Sequence, residues 1–386
     1  MKKITPTAPV IRFRGFTDVW EQRKLNNVAD VRDGTHDSPR YRTEGHPFIT
    51  SKNIKDGFIN YADIQYISDE DFNEINKRSK VEVNDILMGM IGTIGNMALV
   101  REKPDYAIKN VALIKDTKKV HYLYLYHFLH SNNVVMQLFS GIDGGTQKFV
   151  SLNNIRNLNI LFPNLKEQVK LGSFFEKIDY DIALHQRKLE QQKKLKKYFL
   201  QNMFPEEGET VSRIRFKGFT GDWEQRKILD IAPLQRGFDL PKANMKFGSY
   251  PVVMSNGIEG YHSEYKVKGP GVVTGRSGTI GKVHYVESDF WPHNTTLWVT
   301  DFKSNLPKFI YYLYEWLDLS RFGTGSGVPT LNRNDVHDTK VAIPVYGEQK
   351  KIADCLDGFD HLITLHQRKI DQLQAMKKFM LQNLFV

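Results

Sequence analysis

The peptide IRFRGFTDVWEQRK, Ile11 to Lys24, returns as IRFKGFTGDWEQRK, Ile214 to Lys227, with eleven of its fourteen positions identical. Three further matches follow in the same order. GTIG at Gly92–Gly95 recurs at Gly278–Gly281, LHQRK at Leu184–Lys188 recurs at Leu365–Lys369, and LQNMF at Leu200–Phe204 recurs as LQNLF at Leu381–Phe385. A repeat of this length is too long for one solenoid unit, so each copy is expected to be a globular domain followed by a helical segment.

The helical segments carry the clearest periodicity. In Glu167–Phe204 a 3-4 spacing selects Leu171, Phe175, Ile178, Ile182, His185, Leu189, Gln192, Lys196, Phe199 and Met203. In Glu348–Phe385 it selects Ile352, Leu356, Phe359, Ile363, His366, Ile370, Leu373, Lys377, Met380 and Leu384. Such spacing over several heptads is a coiled-coil seam. Pro163 and Pro344 precede the helices and Pro205 follows the first, where proline acts as a stop. Each helix should be a rod of about 55 Å at the usual rise per residue, and the two most simply pair antiparallel. His185 and His366 stand at the midpoints of their segments. In an antiparallel pair midpoints meet, so these imidazoles are expected to face each other and help set register.

The parts between, about 11–162 and 214–343, mix β-rich runs such as ILMGMIGTIGNMALV with Gly, Asn and Asp turns. Short helices are expected at Leu123–Leu138 and Pro307–Leu317. The expected fold class is α+β: two pseudo-symmetric globular domains, each a twisted, mostly antiparallel sheet with short helices, separated by two long helices in an antiparallel coiled coil. The expected boundaries are 1–163 for the first domain, 164–204 for its helix, 205–344 for the second domain and 345–386 for its helix. The domain ends match between copies, but the centres (VRDGTHDSPRYRTEGHPFITSKNI and PLQRGFDLPKANMKFGSYPVVMSNGI) hardly do. A duplicated scaffold with diverged centres suggests two reading heads with different targets.

Composition bounds the chemistry. The 386 residues carry 54 Lys and Arg against 44 Asp and Glu, a formal charge of +10, which suits a polyanionic partner. The one cysteine, Cys355, excludes an internal disulfide and a cysteine-rich zinc site, and fits a reducing cytosol. No apolar run follows the N-terminal lysines, and no stretch reaches the roughly 20 apolar residues of a membrane helix. The expected location is cytoplasmic.

The catalytic inventory is poor. There is no G-x-x-x-x-G-K-[ST], H-E-x-x-H, C-x-x-C or G-x-S-x-G. Gly92 and Gly95 lack the pattern of a dinucleotide loop and read as turn glycines, with a backbone-to-phosphate approach as the alternative. Pro104-Asp105 with Asp116-Thr117-Lys118 formally fits a metal-dependent nuclease pattern, in which two carboxylates would hold Mg²⁺. The second copy has no counterpart. His36 and Asp37 form either an acid–base pair or part of a polar turn. Cys355 reads as a packed side chain. KKLKK at Lys193–Lys197 reads as a solvated helix face or as a phosphate or acidic-partner contact.

The RFxGFTxxWEQRKL openings, the DGTH and SKNI elements, GRSGTIGK and TGSGVPTLNRNDV, and the paired P-x-x-x-EQ-x-K helices ending LQN[ML]F resemble the specificity subunits of type I restriction–modification enzymes. The resemblance covers nearly the whole chain. It implies that each globular domain is a target-recognition domain reading one half of an asymmetric, bipartite DNA target, with the helix pair as a ruler. It implies a subunit without chemistry or cofactor of its own. Two adenine-N6 methyltransferase subunits would dock on it, bringing S-adenosylmethionine, and through them the restriction subunits, which use ATP and Mg. The rivals are a free-standing two-headed DNA-binding regulator, a Mg-dependent nuclease and a coiled-coil scaffold with no DNA role.

DNA-reading candidates are polar residues on turn segments of the diverged centres, since Arg and Lys read guanine and Asn and Gln read adenine in the major groove. In the first domain they are Arg32, Thr35, His36, Lys52, Asn53, Thr93, Gln147 and Lys148. In the second they are Arg236, Asn256, Arg276, Ser277, Thr279, Asn294, Thr324, Ser326 and Arg333. The aromatic openings, Phe13, Phe16, Trp20, Phe216, Phe219 and Trp223, either pack against the rods or dock the two methyltransferase subunits.

Overall fold

The polar end of the repeated peptide is a strand in both copies. Glu21–Lys24 pairs antiparallel with Asn159–Phe162, and Glu224–Lys227 pairs with Lys340–Ile343. The computed structural model describes residues 9–55, 57–143, 148–324 and 329–385. Two helices of 38 residues dominate it, Leu165–Asn202 and Tyr346–Asn383.

The chain divides into two compact units, Met1–His185 with Lys369–Val386, and Gln186–Arg368. Both boundaries fall inside the long helices, so each helix contributes to both units. The reason is antiparallel packing. In the first unit Phe175 stacks on Phe385 and Asp179 pairs with Lys377, so the early part of one helix meets the late part of the other. In the second unit Lys196 pairs with Asp360 and Phe199 stacks on Phe359. The expected seam is largely the buried one: Leu171, Phe175, Ile178, Leu189 and Met203 are buried, as are Ile352, Leu356, Ile370, Leu373 and Leu384.

Within each unit the sheets have the same order. The first unit has a four-stranded antiparallel sheet of Asp30–Asp33, Val111–Lys115, Ile86–Gly89 and Met97–Leu99, in that spatial order. Its counterpart is Leu234–Arg236, Thr296–Val299, Gly271–Gly275 and Val283–Val286. Each unit adds a three-stranded sheet with one parallel pairing. His46–Thr50 lies between Gln65–Ile67 and the parallel Ala107–Lys109. Tyr250–Met254 lies between Gly257–His262 and the parallel Trp291–Pro292.

Strand alternation feeds two cores. Ile86, Met88, Ala112 and Ile114 join the main core of the first unit, while Leu87, Val111 and Leu113 join a smaller one on the other face. In the second unit Val272 and Leu297 face the main core and Val273 faces the smaller one. This explains why the central strands read as continuous apolar runs. The helix expected over Leu123–Leu138 is two, Tyr122–Leu129 and Asn132–Ser140, because Ser131 caps the second by accepting from the Val134 N–H. Pro307–Leu317 is one helix with proline in its first turn.

The repeated peptide holds the start of each long helix. Arg12 makes two hydrogen bonds of 2.7 Å to the buried Glu167 carboxylate, and Arg215 makes two of 2.7 and 2.8 Å to Glu348. The next residue of each helix is a clamp. Gln168 donates to Pro163 O and accepts from the His121 N–H, while Gln349 donates to Pro344 O and accepts from the Leu306 N–H. The peptide also reaches the far end of the other helix. Ile11 N–H donates to Asn383 O and Ile214 N–H to Asn202 O.

Candidate nucleic-acid interface

In both units one corner gathers four segments, two from the diverged centre, the repeated GTIG turn and a later segment that pairs with it. In the first, Gly34 passes so close to the neighbouring strand that a Cβ would lie 2.3 Å from Ile108 O. Gly237 does the same in the second, 2.2 Å from His293 O. Only glycine permits that approach. A serine then ties the next segment to the same strand. Ser51 Oγ donates to Asn110 O at 2.6 Å, and Ser255 Oγ donates to Thr295 O at 3.2 Å.

The third segment is the GTIG turn, with Gly92, Gly95, Gly278 and Gly281 all at positive φ. It is closed by the Gly89 N–H to Asn96 O at 2.8 Å, and by the Gly275 N–H to Lys282 O at 3.3 Å. The fourth segment pairs with it. Val150 N–H donates to Met90 O at 2.9 Å, and Leu331 N–H donates to Arg276 O at 2.8 Å. The two heads therefore share one backbone frame. On it Met90 corresponds to Arg276, Lys52 to Asn256, Asn96 to Lys282 and His36 to Asp239.

The sequence candidates distribute unevenly over this frame. In the first head Thr35 is on the loop after Gly34, with its Oγ1 accepting from the Asp37 N–H at 3.1 Å. His36 is exposed and bonds Asp33 at 2.9 Å and Asn110 at 2.7 Å. Lys52 and Lys148 are exposed at the same corner. Thr93 donates to Ser51 O at 2.6 Å and so holds the turn in place. Asn53 is 2% exposed, accepts from both the N–H and the hydroxyl of Thr50, and donates to Asn60 O, so it builds the loop from inside. Arg32 lies in the edge strand, bound to Asp30 at 2.6 Å, which holds its guanidinium above its ordinary range. Gln147 lies outside the described residues.

In the second head Arg236 bonds Asp239 at 3.1 Å, and Asn294 donates to the same carboxylate. Asn256 is exposed, and its carbonyl accepts from Lys282 at 3.1 Å. Arg276 and Ser277 face the corner, the carbonyl of Ser277 accepting from Ser255 at 2.8 Å. Thr279 and Thr324 are exposed, Thr324 donating to Thr330 O at 3.3 Å, and Arg333 opens the short helix Arg333–Asp338. Ser326 lies outside the described residues. Sequence reading did not single out Asp33, Arg78, Asp239 or Lys282, which bond His36, Asp33, Arg236 and the Asn256 carbonyl respectively. Arg78 lies in the last turn of a helix, Asp69–Ser79, that has no counterpart among the described residues of the second unit, so no repeat pointed to it.

The aromatic openings are packing residues in large part. Trp20 and Trp223 are each 2% exposed and lie in the main cores. Phe13 meets Phe174 edge-on at 5.6 Å, and the Lys170 ammonium lies over Phe13 and Phe16. Phe216 packs on the second core and Phe219 lies beside Gly347. His185 closes the first unit's share of its helix and His366 belongs to the second unit.

The two carboxylates of the nuclease pattern have different ion-pair partners. Asp105 pairs with His46 at 2.8 Å, whereas Asp116 pairs with Lys118 and holds that ammonium above its ordinary range. Among the described residues no cluster of three His, Cys, Asp or Glu could hold a metal ion. None of the described helices is long and apolar enough to cross a membrane.

A family model described as the type I restriction modification DNA specificity domain matches residues 17–194 and again 220–375. The type I restriction enzyme MjaVIII specificity subunit of Methanocaldococcus jannaschii is 23% identical over 368 residues, 84% of each chain. A second chain of that organism, named for the MjaX specificity subunit, is 21% identical over 93% of this chain and 91% of its own. The EcoBI specificity subunit of Escherichia coli is 28% identical over 155 residues, 39% of this chain and 32% of its own. Among solved structures, the type I restriction–modification S subunit from M. genitalium superposes with a TM-score of 0.74 at 14% identity, covering 98% and 99% of the two chains. A chain from a study of complex assembly and conformational transition of the type I R-M system gives 0.54 at 14%, covering 95% and 97%. With the family domain matched in both halves, the chain belongs to the type I restriction–modification DNA specificity family.

Proposed function

We propose that each head reads one half of an asymmetric, bipartite DNA target and that the long helices set the gap between the half-sites. The observation that carries this reading is the shared frame: one loop corner built twice, by the same glycine approach and serine tie, around different outward side chains. The frame presents its exposed positions from one fixed backbone, as a reader of one polymer with two different half-sites requires. The excess of basic residues supplies sequence-independent affinity for phosphate, with steep salt dependence, while side chains on the corner choose the sequence.

The chemistry resides in partners. Two adenine-N6 methyltransferase subunits dock on the repeated scaffold and use S-adenosylmethionine. Restriction subunits, which use ATP and Mg, join through them. The retained likeness of the two openings and helices supports two copies of one partner, since identical partners need similar surfaces. The sharing of each long helix between both units supports its role as a spacer.

The test is a base-resolution map of N6-methyladenine in host DNA with and without the gene. Loss of methylation at one split motif with unlike halves is the expected result. No change at any motif, with the partner genes expressed, would overturn the reading in favour of a free-standing DNA-binding regulator or a scaffold.

A further inference from the structure

At the corner beside Gly34 and Gly237 the two heads have opposite polarity. Asp33 precedes the first glycine and His36 follows it, whereas the same positions of the second head hold Arg236 and Asp239. The partners they gather are alike, one carboxylate with two donor side chains from different segments, but Asp33 is buried whereas 66% of the Asp239 side chain is exposed. Asp33, with 9% of its side chain exposed, accepts from His36 at 2.9 Å and from Arg78. Asp239 accepts from Arg236 at 3.1 Å and from Asn294.

The donors keep their outer edges in solvent. The side chains of Arg78, His36 and Arg236 are 67%, 63% and 51% exposed. A guanidinium has five N–H groups in a fixed fork, and a carboxylate on one side leaves the others free. A free surface arginine samples many rotamers. One held by a carboxylate presents its remaining fork in one direction, which bidentate recognition of a base edge requires.

We infer that Asp33 and Asp239 are positioning residues for base reading, with Arg78 and His36 as readers in the first head and Arg236 and Asn294 in the second. This rests on the reading of each head as a half-site reader. The groups they fit are the acceptor edge of guanine for the two arginines and the adenine edge for Asn294, both in the major groove.

The test uses the full chain with its partner subunits in the host, and maps N6-methyladenine for wild type, Arg78→Ala, Arg236→Ala, Asp239→Asn and Asp239→Glu. Arg236 and its carboxylate are both exposed, so Arg236→Ala leaves the fold intact, whereas Arg78→Ala leaves the buried Asp33 with His36 alone, and thermal unfolding is read beside its methylation map. Discrimination at one base pair of one half-site is expected to fall about tenfold or more in Arg78→Ala, and at one base pair of the other half-site in Arg236→Ala. Asp239→Asn should relax the same position as Arg236→Ala, with partial recovery in Asp239→Glu. An unchanged motif in both arginine variants overturns the inference. So does an even fall in methylation at all copies of the motif, which is the mark of a structural role. If deleting the wild-type gene changes no motif, half-site reading itself fails, and that outcome is distinct from the others.

Discussion

Lys196 of the first long helix lies 2.8 Å from Asp360 of the second, and one repeat later Lys377 lies 2.5 Å from Asp179. A lysine at a seam position is thus answered by an aspartate from the opposing helix in each unit. In the second unit the group is larger: Lys196 also pairs with Glu315 at 2.9 Å, and Tyr312 donates to Asp360 at 2.8 Å.

Replacing Lys196 with Met should destabilise the second unit at pH 7 by about 1–3 kcal/mol, between an exposed and a fully buried pair, because the partly exposed Glu315 and Asp360 lose their shared cation. The pH dependence has a definite sign. Burial raises the Glu315 carboxyl and Lys196 pulls it back. A raised carboxylate favours the folded state when protonated, and that advantage is lost as pH rises through its folded value. Without Lys196 the rise is larger, so the deficit of the variant should shrink on going from pH 7 to pH 5. Thermal unfolding at both values checks this; a deficit that grows in acid would contradict the argument.

Arg12→Ala leaves Glu167 in a buried position with no cation, and Arg215→Ala does the same for Glu348. Each should cost about 3 kcal/mol, the lower part of the range for breaking a buried pair. Each loss should fall on one unit only. Hydrogen exchange resolved by residue distinguishes them: Arg12→Ala weakens protection in the first unit, Arg215→Ala in the second.

Phe385 and Phe204 are equivalent plugs. Phe385 lies 5.7, 5.3 and 5.2 Å from the rings of Tyr124, Phe128 and Phe175, and Phe204 lies 5.5 and 5.4 Å from those of Phe309 and Trp316. Truncation to Ala should cost about 3–5 kcal/mol in each case. Denaturant unfolding of the two variants should show the loss in different units.

Gly34→Ala and Gly237→Ala place a methyl on a backbone carbonyl. The loop must move, while the main cores do not. Methylation mapping should show loss of readout of one half-site per variant, with far-ultraviolet dichroism unchanged. Arg276→Ala should likewise alter one half-site, with equal loss at both counting against its place on the second head.

The architecture was legible wherever identical side chains mark equivalent positions. The rods and the GTIG turns follow from repeated letters and from spacing, whereas the strands Glu21–Lys24 and Glu224–Lys227 were not read from the repeated peptide. The shared frame was not legible, because much of it is made by backbone groups. Met90 and Arg276 occupy one position through their carbonyls, and Gly34 and Gly237 match only in what they avoid. The seam likewise shows which face of each helix is buried but not whose residues cover it. Candidates such as Asn53 failed as surface readers because an asparagine on a turn serves loop closure as readily as recognition, and only burial separates the two.

The main core of the first unit contains Leu384 and Phe385 as well as Trp20 and Leu25. The buried core residues of the second unit all lie within Gln186–Arg368. In the first unit Phe385 meets Tyr124 and Phe175 across most of the chain, so that part of its core is closed by contacts of high sequence separation, the kind that form late in folding.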